Sequence, residues 1–178
     1  MKKTRILLSL ALTLALLLSV GVSAFASAPK YESTKKFVDA IANEEGATYM
    51  VRDIITENDK EYEEVIVTLK SDALLSGEGA AGVYFSEDGS EVLVAAPVIE
   101  KIDQEYLADV LTAINDWNAA ALGCTGVRLY VDTNDYSIMG RLDLFTTMDS
   151  VAQVVPYAVG VFLGFTDQAA SYLADYAA

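Results

Sequence analysis

The apolar residues of this chain change period several times, and each change limits what can form there. Phe37, Val38 and Ile41 repeat at helical spacing, so a helix is expected from Thr34 to about Asn43, with Ser33 as its cap and Glu44-Glu45-Gly46 as its end. The period then becomes two. Thr48 to Ile55 and Tyr62 to Leu69 are rich in β-branched and aromatic residues and are joined by Glu57-Asn58-Asp59-Lys60, which predicts a hairpin. Val83 to Phe85 and Glu91 to Ala96 flank Ser86-Glu87-Asp88-Gly89-Ser90, and Asp-Gly between two such runs is a strong hairpin signal. Between the two hairpins, Ser71 to Gly82 is rich in glycine, serine and alanine and is expected to be a flexible loop.

Beyond Pro97 the helical period returns. Asp103 can cap a helix running to about Leu122, with Leu107, Val110, Leu111, Ile114, Trp117 and Ala121 on its apolar stripe. Two more strands are expected where Val127, Leu129 and Val131, and then Ile138, Leu142 and Leu144, alternate with polar or larger residues about the turn Thr133-Asn134-Asp135. From Asp149 to the end the spacing is helical, with Val155, Val159, Phe162, Ala169, Tyr172, Leu173 and Tyr176 on or near one face. Pro156 lacks an amide proton and should bend this helix or begin its main part. Val154 to Phe165 is almost wholly apolar but too short to span a bilayer, which suits a buried or interface helix. Meandering strands with segregated helices imply an α+β fold, an antiparallel sheet with helices packed on one face.

The first 26 residues have the form of a secretory signal peptide: a basic start (Lys2, Lys3, Arg5), a Leu-rich run from Ile6 to Val22, and small residues at Ala24 and Ala26. Cleavage is expected after Ala26, leaving a linker over 27–32 and one domain over 33–178, secreted or held at the cell envelope with no stable membrane insertion. The formal charge is −14, and loss of the three leader cations makes it −17. Such a field disfavours nucleic acid and favours basic proteins, cations or apolar surfaces as partners. The chain has no histidine, which excludes serine-histidine and cysteine-histidine catalysis. Cys124 is alone, and its aliphatic and small neighbours favour burial.

Among motifs that could carry chemistry, Asp132, Asn134, Asp135, Ser137 and Asp143 resemble a calcium loop, but Tyr136 stands where an oxygen ligand is needed and Ser137 where glycine is needed, so a plain turn is expected. Glu57, Asp59, Glu61, Glu63 and Glu64 crowd one turn; they are expected to form a solvated acidic tip rather than an acid-base pair. Asn115 and Asn118 lie one helical turn apart, where an amide could satisfy the backbone of the following strand. Gly160 and Gly164 would permit another helix to approach. No phosphate-binding glycine loop, nucleophile elbow, metal-binding cysteine cluster or internal repeat occurs, and no cofactor is implied.

Asn115-Asp116-Trp117-Asn118 at a helix end, Val127-Arg128-Leu129-Tyr130-Val131-Asp132 as a strand, and Leu142-Asp143-Leu144 before a long last helix resemble the YbjN family of bacterial sensory transduction regulators, similar in fold to type III secretion chaperones. The resemblance spans about 106–176. It implies the order α-β-β-β-α-β-β-α in a non-catalytic, often dimeric, protein-binding domain. The chain departs from that pattern in its leader, in the segment from Ser71 to Gly82, and in Ala119-Ala120-Ala121 after the Trp-Asn pair. The expected function is therefore chaperone-like or regulatory binding of a protein or peptide, a second copy included, with Trp117, Asn118, Phe162 and Tyr172 as candidate partner contacts. The alternatives are an extracellular carboxylate-dependent hydrolase and a cation-stabilised surface protein.

Overall fold

The structure, a computed structural model, describes residues 27–57, 59–121 and 125–178. The leader with its cleavage point, and Cys124 with its expected burial, lie outside these residues. Six strands form one antiparallel sheet: β1 (Ala47–Glu57), β2 (Lys60–Lys70), β3 (Glu78–Phe85), β4 (Glu91–Ile99), β5 (Arg128–Asp132) and β6 (Ser137–Phe145), in spatial order β1-β2-β3-β4-β6-β5. Among the described residues three α-helices accompany it: α1 (Glu32–Ile41), α2 (Leu107–Ala121) and α3 (Val151–Leu173). The fold is α+β, as the change of period requires. One strand more stands before the second helix than the family order gives, because both early hairpins form in full.

Strand alternation sorts the sheet into two faces. Val51, Val65, Val67, Val83, Val94 and Leu142 point to one face, where they pack with Phe37 and Ile41 of α1 and with Val155, Val159 and Phe162 of α3. The α2 side chains Val110 and Ile114 close a second cluster with Leu129, Ile138 and Leu173. All three helices thus cover the same face. Burying side chains of this size contributes roughly 1.5–3 kcal/mol each. The last helix comes very close to the sheet at Gly140, where a Cβ atom would stand 2.7 Å from Thr166 Cγ2.

The opposite face is closed by curling. Glu57 of β1 reaches Arg141 of β6 at 3.5 Å, although β2, β3 and β4 lie between them. Four strand spacings in a flat sheet would put those strands about 19 Å apart, too far for the two side chains. A register shift between Val51 and Ile54 supplies an extra bend, and the end of β1 folds over the face. Tyr62, Tyr84 and Met139 are buried beneath it, with Ile55, Leu93 and Ala95 packed around them.

Several local expectations are corrected. The α1 helix begins at Glu32, and Ser33 does not cap it; its hydroxyl donates to the Ser86 carbonyl at 2.9 Å instead. Residues 78–82 are not loop but the first half of β3, where Gly82 pairs with Ile66 and Ala95. The Tyr84 ring lies back over Gly82, with its hydroxyl 2.6 Å from where a Cβ would stand, so glycine is required to seat that ring. The remaining segment is pinned, because Asp167 of α3 accepts the amide protons of Leu75 and Ser76. The last helix starts at Val151 and runs through Pro156 rather than beginning at it.

Candidate functional site

The acidic tip is only partly a tip. Asp59 and Glu61 are exposed, but Glu63 and Glu64 are buried. As neighbours in a strand they point to opposite faces and cannot act as a pair. The Glu63 carboxylate accepts the amide protons of Lys30 and Tyr31, both at 2.8 Å, which docks the entry to α1 on the sheet. Glu64 lies under the curled face, accepting from the Tyr84 hydroxyl at 3.1 Å and standing 3.7 Å from Arg52 Nε. Burial raises the Glu64 carboxyl above the ordinary 4.5, against the opposing pull of Arg52 and the Tyr84 hydrogen bond. Burial, then the hydrogen bond to Glu91, pushes Tyr62 up to about 12. Perturbed groups of this kind occur at active sites and in structural networks alike. Here each is matched to a side chain of the chain itself.

The calcium-like loop is a turn. Asp132 Oδ1 accepts from the Asn134 amide at 2.9 Å, and Asp135 Oδ1 accepts from the Ser137 amide at 2.9 Å. Tyr136 completes it in the left-handed conformation, with φ of 60°. No group of three acidic or cysteine residues among those described is placed to hold a metal ion.

The four candidate contacts separate into different settings. Asn118 is spent within the chain: its Oδ1 accepts from the Leu129 amide at 2.8 Å and its Nδ2 donates to the Leu129 carbonyl at 2.9 Å. β5 is an edge strand, so this amide stands in for the missing neighbouring strand. Asn115, one turn earlier, is exposed. Trp117 is half-buried, with its ring centre 5.3 Å from Phe165 and 5.1 Å from Tyr172, and its Nε1 is buried without a partner. Tyr172 is 54% exposed beside it. Phe162 is 0% exposed in the main core, and this corrects the expectation that it meets a partner. Its place on the stripe with Val155 and Val159 turns it toward the sheet.

The first half of α3, expected to be a buried or interface helix, leaves part of its apolar surface uncovered. Amphipathic surface helices carry polar residues outside, yet no residue from Val151 to Thr166 is charged. Val154 and Tyr157 are 42% and 77% exposed. A Cβ atom added at Gly160 or Gly164 would meet nothing within 4 Å. Beside this face a groove of about 320 Å³ opens between α1, the β1–β2 edge and α3, with Phe37, Ile41, Val67, Tyr157 and Gly160 among its walls and Glu44 and Glu45 at its mouth. The groove joins residues more than a hundred positions apart, so no local pattern announces it. No helix among the described residues is long and apolar enough to cross a membrane.

No family model and no curated protein matches the chain.

Proposed function

We propose that the chain is a non-enzymatic, extracytoplasmic domain that binds a protein or peptide through the first half of α3 and the groove beside it. The uncharged outer face of α3 carries this reading. An apolar helix face with a wide-open tyrosine and two uncovered glycines costs solubility unless something covers it. The groove continues that face inward, and a cluster of concave apolar walls with few polar groups is the usual form of a binding site. The engagement of the buried carboxylates by Tyr84, Arg52 and the backbone just before α1 supports a structural use for them. The resemblance to YbjN proteins points the same way, and the leader moves the role outside the cytoplasm.

Size exclusion with light scattering tests this on the mature chain, alone and mixed with envelope extract, beside Gly160→Leu. Leucine at 160 projects into the groove and favours the helix, so folding should survive. The reading expects a dimer or a co-eluting protein for the wild type and loss of either in the variant. A wild-type monomer that retains nothing, or a variant that retains the same protein equally, contradicts it.

A further inference from the structure

We infer that the groove between α1 and α3 receives a partner segment with an aromatic or leucine side chain flanked by lysine or arginine. This rests on the protein-binding reading and names its partner class. The walls are apolar, and Glu44 and Glu45 are the charged residues that line the groove. Both are exposed, and neither carboxylate has a hydrogen-bond or ion-pair partner among the described residues. Lys70, whose carbonyl lies against Gly46 just beyond them, is drawn to Glu78 at 3.6 Å. The mouth is therefore uncompensated negative charge in a chain of 26 acidic and 12 basic residues.

These features select among occupants. An acidic segment meets repulsion from the rim and from the whole field. A purely apolar one strips water from two carboxylates and returns nothing for it. A second copy docked by the same face places one acidic rim toward the other, since a twofold interface pairs each patch with itself. A basic segment with an apolar anchor answers both requirements: the anchor fills the groove, and its flanking cations meet Glu44 and Glu45. A volume of about 320 Å³ is at the small end of ligand sites, which suits one large side chain or two smaller ones. The bare Gly160 wall lets the partner backbone come close.

Fluorescence anisotropy tests this with labelled peptides that share one length: a Leu-Phe-Leu centre flanked by lysines, by glutamates or by serines, and a serine centre flanked by lysines. The lysine-flanked apolar peptide should bind wild type at least about tenfold more tightly than the others. Gly160→Leu should weaken it by about tenfold, as should Tyr157→Ser if leucine disturbs the fold. Glu44→Gln combined with Glu45→Gln should weaken it about threefold and flatten its salt dependence. Equal binding of the serine-centred basic peptide would show general attraction to an acidic protein and overturn the inference. If the glutamate- or serine-flanked apolar peptide binds best and Gly160→Leu abolishes it, the partner class is wrong while the binding reading stands. If no peptide binds and the wild type is a monomer that co-elutes with nothing, both fall.

Discussion

Replacing Asn118 tests the link between α2 and the sheet edge. The side chain makes two hydrogen bonds to Leu129, as acceptor at 2.8 Å and donor at 2.9 Å. Each is worth about 0.5–1.5 kcal/mol net, so Asn118→Ala removes about 1–3 kcal/mol. Alanine is the better helix former by roughly 0.5 kcal/mol, leaving a net loss of about 0.5–2.5 kcal/mol. For a chain of this size each kcal/mol shifts the melting midpoint by about 2–4 °C. Asn118→Asp is the sharper probe, because it keeps the shape and the acceptor but turns a carboxylate oxygen toward the Leu129 carbonyl. That repulsion raises the folded-state pKa of the new aspartate, so its contribution is present at low pH and is lost as pH rises through that value. Urea unfolding followed by Trp117, the only tryptophan, measures both variants. The Asp variant should be weaker than wild type at pH 7 and recover toward it in acid. An Ala variant as stable as wild type, or an Asp variant with no pH-dependent deficit, would refute the role of Asn118 as substitute strand partner.

Three further outcomes are expected. The Glu64 carboxyl is raised by burial, so its contribution to stability is present below the ordinary 4.5 and is lost as pH rises; Glu64→Gln should gain on wild type between pH 4 and 7 in unfolding measurements, and a constant difference across that range would contradict the burial argument. Burial, the largest single influence on Asp167, pushes its carboxyl up, but the hydrogen bonds from Ser76 and Leu75 outweigh it and hold the group below the usual range; Asp167→Asn should speed hydrogen exchange at the Leu75 and Ser76 amides, and unchanged exchange would show that the loop holds itself. Phe162→Ala should cost about 3–5 kcal/mol, as a fully buried aromatic does, and a loss below about 1 kcal/mol would return Phe162 to the surface.

The architecture was legible where side chains carry a period. Val65 and Val67 against Tyr62 and Ile66, or Leu129 and Val131 against Tyr130, announce strands, and of Asn115 and Asn118, both candidates for an amide facing the next strand, Asn118 is the one that meets it. The first half of β3 was not legible, because Gly79, Ala80 and Gly82 have no β-branched or aromatic bulk; they are strand because β2 pairs with all three, while β4 joins only at Gly82, where Tyr84 needs the space. Glu63 left a signal that composition hid: its parity places it in the inward row with Val65 and Val67, where a carboxylate must find donors. Phe162 was likewise marked as inward by its spacing from Val155 and Val159. The groove and the curl that joins Glu57 to Arg141 arise from tertiary closure across 84 or more residues, and no window of sequence contains them.

Photo-crosslinking in the native cells tests the central claim most directly. A photoreactive phenylalanine analogue in place of Tyr157, 77% exposed on the outer face of α3, is compared with the same group in place of Thr112, exposed on α2. Binding through α3 and its groove predicts a discrete protein adduct from position 157, lost when Gly160→Leu is added, and none from position 112. No adduct at 157, or the same adduct from both positions, would contradict it.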